Sequence, residues 1–406
     1  MEQLTGSQSR TPRSAEAPGL NSPGDHYPII VHSHLRWDWV WQRPQQFISR
    51  LSERHRVLFV EGPAASPDVR RTEESLRETT DYPNVIVLQM KVPAARWADG
   101  EWVDQERRRL VQRILAEPLG REFEAPVQWF YDPMAVTAFA GHLGERAIVY
   151  DCMDELSLFR DAPRELVHRE RELLRLADVV FAGGPKIWEA KRELNSNCHC
   201  FGCGVDWEHF SQARKECLTV PVETRDLPRP IFGYIGVVDE RVDYDLFGKL
   251  ADSTNGSVLV VGPTAKVDPA SFPQRPNLHW LGVRKYAELP GYAKSFDVCV
   301  MPFALNDATR FINPTKALEY MATGRPIVST PITDVVRQFR HVVTIATDHA
   351  SFIAGCQAAA REPDPAALER GMKLARANSW DSIVRQIEQR IDEVLSAKRT
   401  LDFHAA

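Results

Sequence analysis

Short apolar runs alternate with helical stretches along most of this chain, and the alternation occurs in two separate series. In the first series the apolar runs include residues 28–34, 56–61 and 127–131. Such runs are typical of strands that are buried on both faces, and strands separated by helices are joined by crossover connections. The pattern therefore predicts an α/β protein whose parallel sheets are covered by helices.

The alternation is interrupted at residues 211–230, which carry charged residues, threonines and three prolines. A second series then begins at residue 231 and ends in a helix that Ser379 opens. These features predict a disordered tail at 1–26, a Rossmann-like domain at 27–212, a linker at 213–229, a second Rossmann-like domain at 230–378, and a C-terminal helix and tail at 379–406 that pack back toward the first domain. Doubly wound sheets bind ligands at the carboxyl ends of their strands, so two of them in tandem predict a deep cleft.

Composition excludes several classes of protein. The net charge is -5 over 406 residues, whereas a dedicated nucleic-acid binder is usually basic. Seven cysteines are too few for a disulfide scaffold. No run approaches the ~18 apolar residues of a membrane span, and the N-terminus lacks a signal-peptide pattern. We expect a cytoplasmic protein, with the inner face of the plasma membrane open to it.

The segment at 313–328, Asn-Pro-Thr-Lys-Ala-Leu-Glu-Tyr-Met-Ala-Thr-Gly-Arg-Pro-Ile-Val, is the most informative stretch. It follows a predicted strand, Pro314 can start a helix, and Gly324 can end it. Lys316 in the first turn opposes the helix dipole, which an anionic ligand would explain. Glu319 lies one turn further on the same face, where a carboxylate can accept hydrogen bonds from a ribose diol. The alternative is a surface Lys316 that simply pairs with Glu319.

This segment resembles the nucleotide-sugar motif of family 4-like (group 1) bacterial glycosyltransferases of the GT-B fold, in a branch with Pro-x-Lys-x-x-Glu-Tyr. The resemblance covers most of residues 28–397. It implies that Glu319 holds the donor ribose and that Lys316, with Thr315 beside it, contacts the donor phosphates. The family's first Glu, which touches the donor sugar, falls on Phe311 in this chain, so donor-sugar recognition and stereochemical outcome stay open.

Two further loops extend the resemblance into the second domain. The loop Gly-Val-Val-Asp-Glu-Arg-Val-Asp at 236–243 is similar to the family's diphosphate loop, with Arg241 as a second phosphate-binding cation. Its alternative is a solvated Arg241 paired with Asp243. The turn after the predicted strand at 277–281 resembles the base-binding turn, in which the backbone reads the base edge; its residues are Gly282, Val283 and Arg284.

The loop after the first strand, Trp-Asp-Trp-Val-Trp-Gln-Arg-Pro-Gln at 37–45, belongs to a branch with Trp-x-Trp-Gln-Arg-Pro-Gln. Its three tryptophans could stack on sugar faces, and Arg43 could face a donor phosphate. Alternatively, the tryptophans pack beneath the loop and Arg43 forms a structural ion pair.

Two carboxylates end another strand of the first domain and point toward the predicted cleft. An inverting glycosyl transfer needs a base that takes the proton of the acceptor hydroxyl. Asp154 is the first candidate and Asp151 the second. The alternatives are a helix cap, a loop-ordering hydrogen bond, or a retaining mechanism in which Asp154 only orients the acceptor.

The resemblance implies a metal-independent hexosyltransferase with no cofactor, in which a nucleoside diphosphate sugar, a UDP-sugar above all, is the co-substrate. The acceptor would be a glycan or a lipid-linked glycan of a bacterial cell-surface polymer, and no nucleic acid is expected. The rivals are a nucleotide-sugar epimerase or hydrolase on the same fold, and a non-catalytic sugar-nucleotide-binding protein. Cys198, Cys200 and Cys203 lack the pairing expected of a zinc site.

A predicted helix at 101–116 joins an apolar stripe to a cluster of arginines. A basic amphipathic helix can lie on an anionic membrane, which would bring the enzyme to a lipid-linked acceptor. In the alternative, the stripe covers the sheet of the first domain and the arginines are merely solvated.

Overall fold

The computed structural model describes residues 26–159, 161–309, 312 and 315–405, and its strands form two sheets. The expected tail at 1–26 lies outside the described residues except for His26. The N-terminal sheet has the order β3-β5-β2-β1-β6-β7-β8-β9, and β4 pairs antiparallel with β5 at one edge. Its strands are β1 Ile29–Ser33, β2 Val57–Glu61, β3 Ala64–Ser66, β4 Glu73–Glu78, β5 Val85–Pro93, β6 Val127–Phe130, β7 Ala147–Cys152, β8 Val179–Ala182 and β9 Cys198–Cys200.

Helices cover both faces of this sheet, and buried apolar side chains fill the two layers between. Pro44 lies in the first turn of its helix, where its missing N–H costs nothing. The helices of this half and of the connection that follows it are α1 Arg43–Leu51, α2 Gly100–Ala116, α3 Val136–Phe139, α4 Leu166–Leu176, α5 Pro185–Lys191, α6 Trp207–Phe210 and α7 Val222–Arg225.

The apolar stripe of α2 packs against the sheet, so this helix does not present a membrane-binding face. Val103, Leu110, Val111 and Ile114 are buried there. The arginines are engaged as well: Arg108 donates to the carbonyls of Ala138 and Thr137, and the others pair with carboxylates of the same domain. The sheet-covering alternative is therefore the correct one for the apolar stripe, and the arginine cluster is paired rather than free.

The C-terminal sheet is parallel and has the order β12-β11-β10-β13-β14-β15. Its strands are β10 Ile231–Ile235, β11 Ser257–Val261, β12 Leu278–Gly282, β13 Val298–Met301, β14 Ile327–Ser329 and β15 Thr344–Ile345. Its helices are α8 Tyr244–Asp252, α9 Leu289–Ser295, α10 Lys316–Thr323, α11 Thr333–Phe339, α12 His349–Arg361, α13 Pro365–Ala377 and α14 Trp380–Ala405.

The strand order reverses beside the first strand of each sheet, and these two positions govern where ligands can bind. The chain leaves β10 toward β11 on one side and β13 lies on the other, so a crevice opens beyond the carboxyl ends of β10 and β13. The same arrangement surrounds β1, with β2 and β6 as its neighbours. Loops that follow β1, β6 and β7 therefore face loops that follow β10 and β13.

Two chain crossings connect the domains, and they lie side by side. The outgoing segment pairs with the returning segment through a bridge between Val205 and Ser379, with Val205 N donating to Asn378 O at 3.0 Å. After this point α14 runs back along the N-terminal domain, where Asp381 pairs with Arg50 at 2.9 Å and Lys398 with Asp178 at 2.7 Å.

Candidate functional site

Two connected cavities occupy the space between the carboxyl ends of the two sheets. The inter-domain cleft, about 160 Å³, is lined by the start of α10, the loops after β10 and β12, and the start of α1. The N-terminal cavity, about 950 Å³, extends from the same place along the loops after β1, β2 and β7. Asp154, Asp239 and Arg241 line both cavities, so these three residues mark the junction.

Lys316 and Glu319 line the C-terminal wall of the cleft, on the first turn of α10. The Lys316 side chain lies directly over the backbone of Gly236: a Cβ added to Gly236 would be 1.9 Å from its Cε and 2.7 Å from its Nζ. Burial lowers the pKa of Lys316 and raises the pKa of Glu319 to about 7. Within the described part of the chain the two side chains do not form an ion pair, so the simple Lys316–Glu319 pairing is wrong.

The end of helix α10 lies where the sequence predicted it. Gly324 ends α10 in the left-handed conformation, with φ of 71° and its N–H bonded to Met321 O. Thr315 precedes the helix and lines the cleft. Pro314 and Phe311 lie outside the described residues.

Arg241 reaches the junction of the cavities from the loop after β10. Its guanidinium is forked onto Asp239, with Nη2 at 2.7 Å and Nε at 3.0 Å from the two carboxylate oxygens. The expected alternative partner, Asp243, instead caps α8 and contacts His349 at 2.7 Å. Pairing with Asp243 is therefore wrong, because the loop turns Arg241 toward the cleft and Asp243 toward the helix.

The predicted base-binding turn lies at the far end of the cleft, where Val283 and Arg284 line the wall. Gly282 has φ of 68°, which turns the chain sharply after β12, and its carbonyl accepts from Gly262 N at 2.9 Å. The Arg284 side chain is already bonded to Tyr292 Oη at 2.6 Å and to Val283 O at 2.9 Å. The carbonyls of Gly282 and Val283 are thus already engaged within the protein, and base reading by the backbone of this turn stays a prediction.

Arg43 and Asp151 form a buried ion pair beneath the cleft. Arg43 Nε donates to Asp151 Oδ1 at 2.9 Å, and Nη1 donates to Phe201 O at 2.7 Å. Asp151 is fully buried and lines neither cavity, although burial raises its pKa to about 6. Arg43 does line the cleft, and its Nη2 is buried without a hydrogen-bond partner in the structure. The structural-pair alternative for Arg43 is correct, and a contact between its Nη2 and a donor phosphate stays a prediction.

Asp154 is half-buried at the junction, two residues beyond the end of β7. Burial raises the pKa of its carboxyl, while the positive charge of Arg241 acts in the opposite direction. A carboxylate with a raised pKa is a better proton acceptor near neutral pH. Of the two predicted carboxylates, Asp154 is the one that faces a ligand cavity.

His34 is a polar residue of this site that the sequence did not indicate. It follows β1, lines the N-terminal cavity, and its Nδ1 lies 3.2 Å from Tyr131 O. This contact leaves Nε2 as the basic nitrogen. Burial lowers the pKa of His34, with opposing contributions from Asp132 and Asp154. A lone histidine has no motif, and only its place at the reversal of strand order could have identified it.

The three tryptophans of the loop after β1 have different environments. Trp37 is buried against Phe59 and Tyr82, as the packing alternative predicted. Trp41 lines the cleft but is only 9% exposed, while the half-buried Trp39 lines the N-terminal cavity. Trp39 is therefore the member of this group best exposed to a ligand.

Neither a metal centre nor a membrane span emerges from the described residues. Within them, no group of three or more His, Cys, Asp or Glu side chains could hold a metal ion. Cys198, Cys200 and Cys203 form no disulfide within the described residues. The helices described here include none with the length and apolarity to cross a bilayer.

Part of this chain is similar to known glycosyltransferases. Residues 230–361, which carry the Lys316 and Glu319 wall, match the family model "Glycosyl transferases group 1". A protein of Bacillus subtilis (strain 168), provisionally named teichuronic acid biosynthesis glycosyltransferase TuaH, is 24% identical over 261 residues. That match covers 59% of this chain and 65% of the relative, somewhat less than two thirds of its length.

Solved structures of GT-B glycosyltransferases share the whole architecture. Sucrose-phosphate synthase from Thermosynechococcus elongatus superposes with a TM-score of 0.64 at 15% identity, covering 92% of this chain and 100% of that one. HepE of Anabaena, solved in complex with UDP, gives 0.63 at 11% identity, covering 90% and 100%. The fold of this chain is therefore GT-B, as the sequence predicted.

Proposed function

We propose that this protein is a glycosyltransferase that moves a sugar from a UDP-sugar to a hydroxyl acceptor. The observation that carries the proposal is the convergence of Lys316, Glu319 and Arg241 on one cleft, which continues at Asp154 into a second, larger cavity. A cleft with two cations and a ribose-binding carboxylate suits a nucleoside diphosphate. The adjoining cavity has the volume that an acceptor needs.

The donor would lie along the C-terminal wall of the cleft. Lys316 and Arg241 would offset the diphosphate charge, assisted by Thr315 and by the unpartnered Nη2 of Arg43. Glu319 would accept from the ribose hydroxyls, and the backbone at 282–284 would read the base. Uracil is favoured because the structural neighbour HepE is described in complexes with UDP and with UDP-glucose. This charge stabilisation would act on the departing diphosphate without a metal ion.

The acceptor would enter through the N-terminal cavity and present its hydroxyl at Asp154. In an inverting reaction Asp154 would remove the hydroxyl proton as the acceptor oxygen attacks the anomeric carbon and the bond to the diphosphate oxygen breaks. His34, on the same cavity, is the second candidate base. In a retaining reaction Asp154 would orient the acceptor instead.

The acceptor is proposed to be a glycan of a bacterial surface polymer. The support is the Bacillus subtilis relative, whose name refers to teichuronic acid biosynthesis. Donor use would then be cytoplasmic, at the inner face of the plasma membrane where a lipid-linked acceptor is held. Because α2 is buried against its own sheet, such contact would require another surface.

The deciding experiment combines a thermal-shift screen of nucleotide sugars with turnover of those that bind. A donor at 100 times its Kd should add about 2.7 kcal/mol to the free energy of unfolding. Stabilisation by UDP-sugars with acceptor-dependent UDP release supports the proposal. Binding without turnover over a panel of glycan acceptors would instead indicate a non-catalytic sugar-nucleotide-binding protein, and donor consumption without any acceptor would indicate an epimerase or hydrolase.

A further inference from the structure

Phe159 is an aromatic residue of the N-terminal cavity, in contact with the junction residue Arg241, for which the mechanism above has no role. It follows the 3-10 turn Leu156–Leu158, on the same loop as Asp154, and it lines the N-terminal cavity. The side chain is half-buried in a cavity whose lining is both apolar and charged. Its position is close to where the acceptor oxygen and the anomeric carbon would meet.

The ring of Phe159 is held by two cations of the opposite domain. Arg241 Cζ lies 5.4 Å from the ring centroid, and Lys266 Nζ lies 5.1 Å from it. Arg241 comes from the loop after β10 and Lys266 from the loop after β11, whereas Phe159 belongs to the N-terminal domain. Cations within about 6 Å of an aromatic ring are attracted to its face. The contact therefore forms only when the two domains are close together.

We infer that Phe159 closes the reaction centre against water and so sets the ratio of glycosyl transfer to donor hydrolysis. The inference rests on the proposed function. Transfer and hydrolysis break the same bond, between the anomeric carbon and the diphosphate oxygen, and that oxygen leaves with the electron pair as UDP. They differ only in the attacking oxygen, which belongs to the acceptor hydroxyl or to water, and either one releases one proton as it attacks.

The arrangement suits this role because the approach of the two domains and the exclusion of water from the reaction centre would occur together. With the domains together, the Phe159 ring lies against the Arg241 guanidinium that would hold the diphosphate. Phe159 and Asp154, the carboxylate that would take the proton, both line the N-terminal cavity. An apolar ring at that position occupies the path by which water would approach the anomeric carbon. With the domains apart, the ring would lose its contacts with both cations and water could approach the reaction centre. At that stage no donor would be bound between the two domains.

The test measures UDP release without acceptor, using UDP-glucose, UDP-galactose and UDP-glucuronate as probes. For a probe that the wild-type protein binds, Phe159→Ala should raise the hydrolysis rate at least about tenfold, because water then reaches the anomeric carbon. Phe159→Leu, which keeps an apolar side chain, should restore most of the protection. Lys266→Met, which removes one of the two cations that contact the ring, should raise hydrolysis by a smaller factor.

A structural effect is separated from water exclusion by the affinity for UDP. Phe159 does not line the cleft, so Phe159→Ala should keep the Kd for UDP within about twofold. A parallel loss of UDP affinity would mean that the ring merely positions Arg241 and would overturn the inference. Trp102→Ala is the matched control, since it removes a cation–π contact to Arg96 at 4.5 Å outside both cavities. Its hydrolysis rate should equal that of wild type.

Two outcomes are decisive and differ from each other. If wild type transfers sugar to an acceptor but Phe159→Ala hydrolyses donor no faster than wild type, the inference is wrong and the proposed function stands. If neither wild type nor any variant releases UDP from any probe that binds, either without acceptor or with the panel of glycan acceptors, the proposed function fails, and the inference fails with it.

Discussion

Gly236→Ala should weaken UDP binding although residue 236 contributes no side chain to the site. The added Cβ would lie 1.9 Å from Lys316 Cε, whereas non-bonded carbon atoms pack at about 3.5–4.0 Å. The end of the lysine side chain must therefore move by about 1.6 Å or more, which takes its ammonium away from the loop that is proposed to face the diphosphate. A hydrogen bond to a charged group is worth about 1.5–3 kcal/mol. The expected loss is thus about 10- to 150-fold in the Kd for UDP.

Titration calorimetry with UDP and with uridine checks this reasoning. Gly236→Ala and Lys316→Met should lose similar factors for UDP, and the double variant should lose little more than either, because both changes remove one contact. Uridine lacks the diphosphate, so its affinity should stay unchanged in all three. Gly62→Ala is the control, since the nearest atom to its added Cβ is 3.6 Å away. Wild-type UDP affinity in Gly236→Ala, or an equal loss for uridine, would refute the assignment of Lys316 to the phosphates.

Three further predictions follow from the burial and charge of the carboxylates. Asp154→Asn should lower turnover by about 10²–10⁴ with little change in UDP affinity, as measured by initial rates and calorimetry; near wild-type turnover would exclude Asp154 as the base. Burial raises the pKa of Glu319 to about 7, so the folded protein binds its proton more tightly than the unfolded chain and loses stability as pH rises from about 4.5 to 7. Glu319→Gln should therefore raise the Tm of the ligand-free protein at pH 8 relative to wild type while weakening UDP, and an unchanged Tm would contradict the burial of this charge. Asp151→Ala should destabilise the protein by about 3–5 kcal/mol in urea unfolding, because it leaves Arg43 buried without its partner; a loss below 1 kcal/mol would show that the pair is not structural.

The pattern of apolar residues was sufficient to predict the two-sheet architecture. Most strands are buried on both faces, so they appear in the sequence as continuous apolar runs. The edge strand β4, Glu-Glu-Ser-Leu-Arg-Glu, was not predicted, since it is mostly exposed and has no apolar alternation. Its antiparallel pairing with β5 is a tertiary contact without a local signal. The helix α2 shows the converse, because an amphipathic pattern has the same appearance whether its apolar face meets a membrane or a sheet.

Within the site, the sequence predicted where residues lie along the fold better than it predicted which side chains form ion pairs with them. The motif placed Lys316 and Glu319 on one turn of α10, because helix geometry alone decides that spacing. The partner of Arg241 could not be read in the same way, because two aspartates lie within two residues of it and the loop conformation selects Asp239. The sequence likewise could not show which of Asp151 and Asp154 faces a cavity. The structure decides this, because Asp151 forms a buried ion pair with Arg43 beneath the cleft.

The paired crossings at Val205 and Ser379 determine how the two halves of this molecule can move. Two connections at separate places would resist rotation, and a single one would permit twisting in every direction. Two connections that are hydrogen-bonded to each other at one place would act as a hinge. They would permit rotation of one domain relative to the other and would limit translation between the domains. Opening and closing about this hinge would follow one arc, and each closing would return the loop of Asp154 to the same place beside the start of α10. A catalyst whose reacting groups are divided between two bodies thereby reassembles the same site in every cycle.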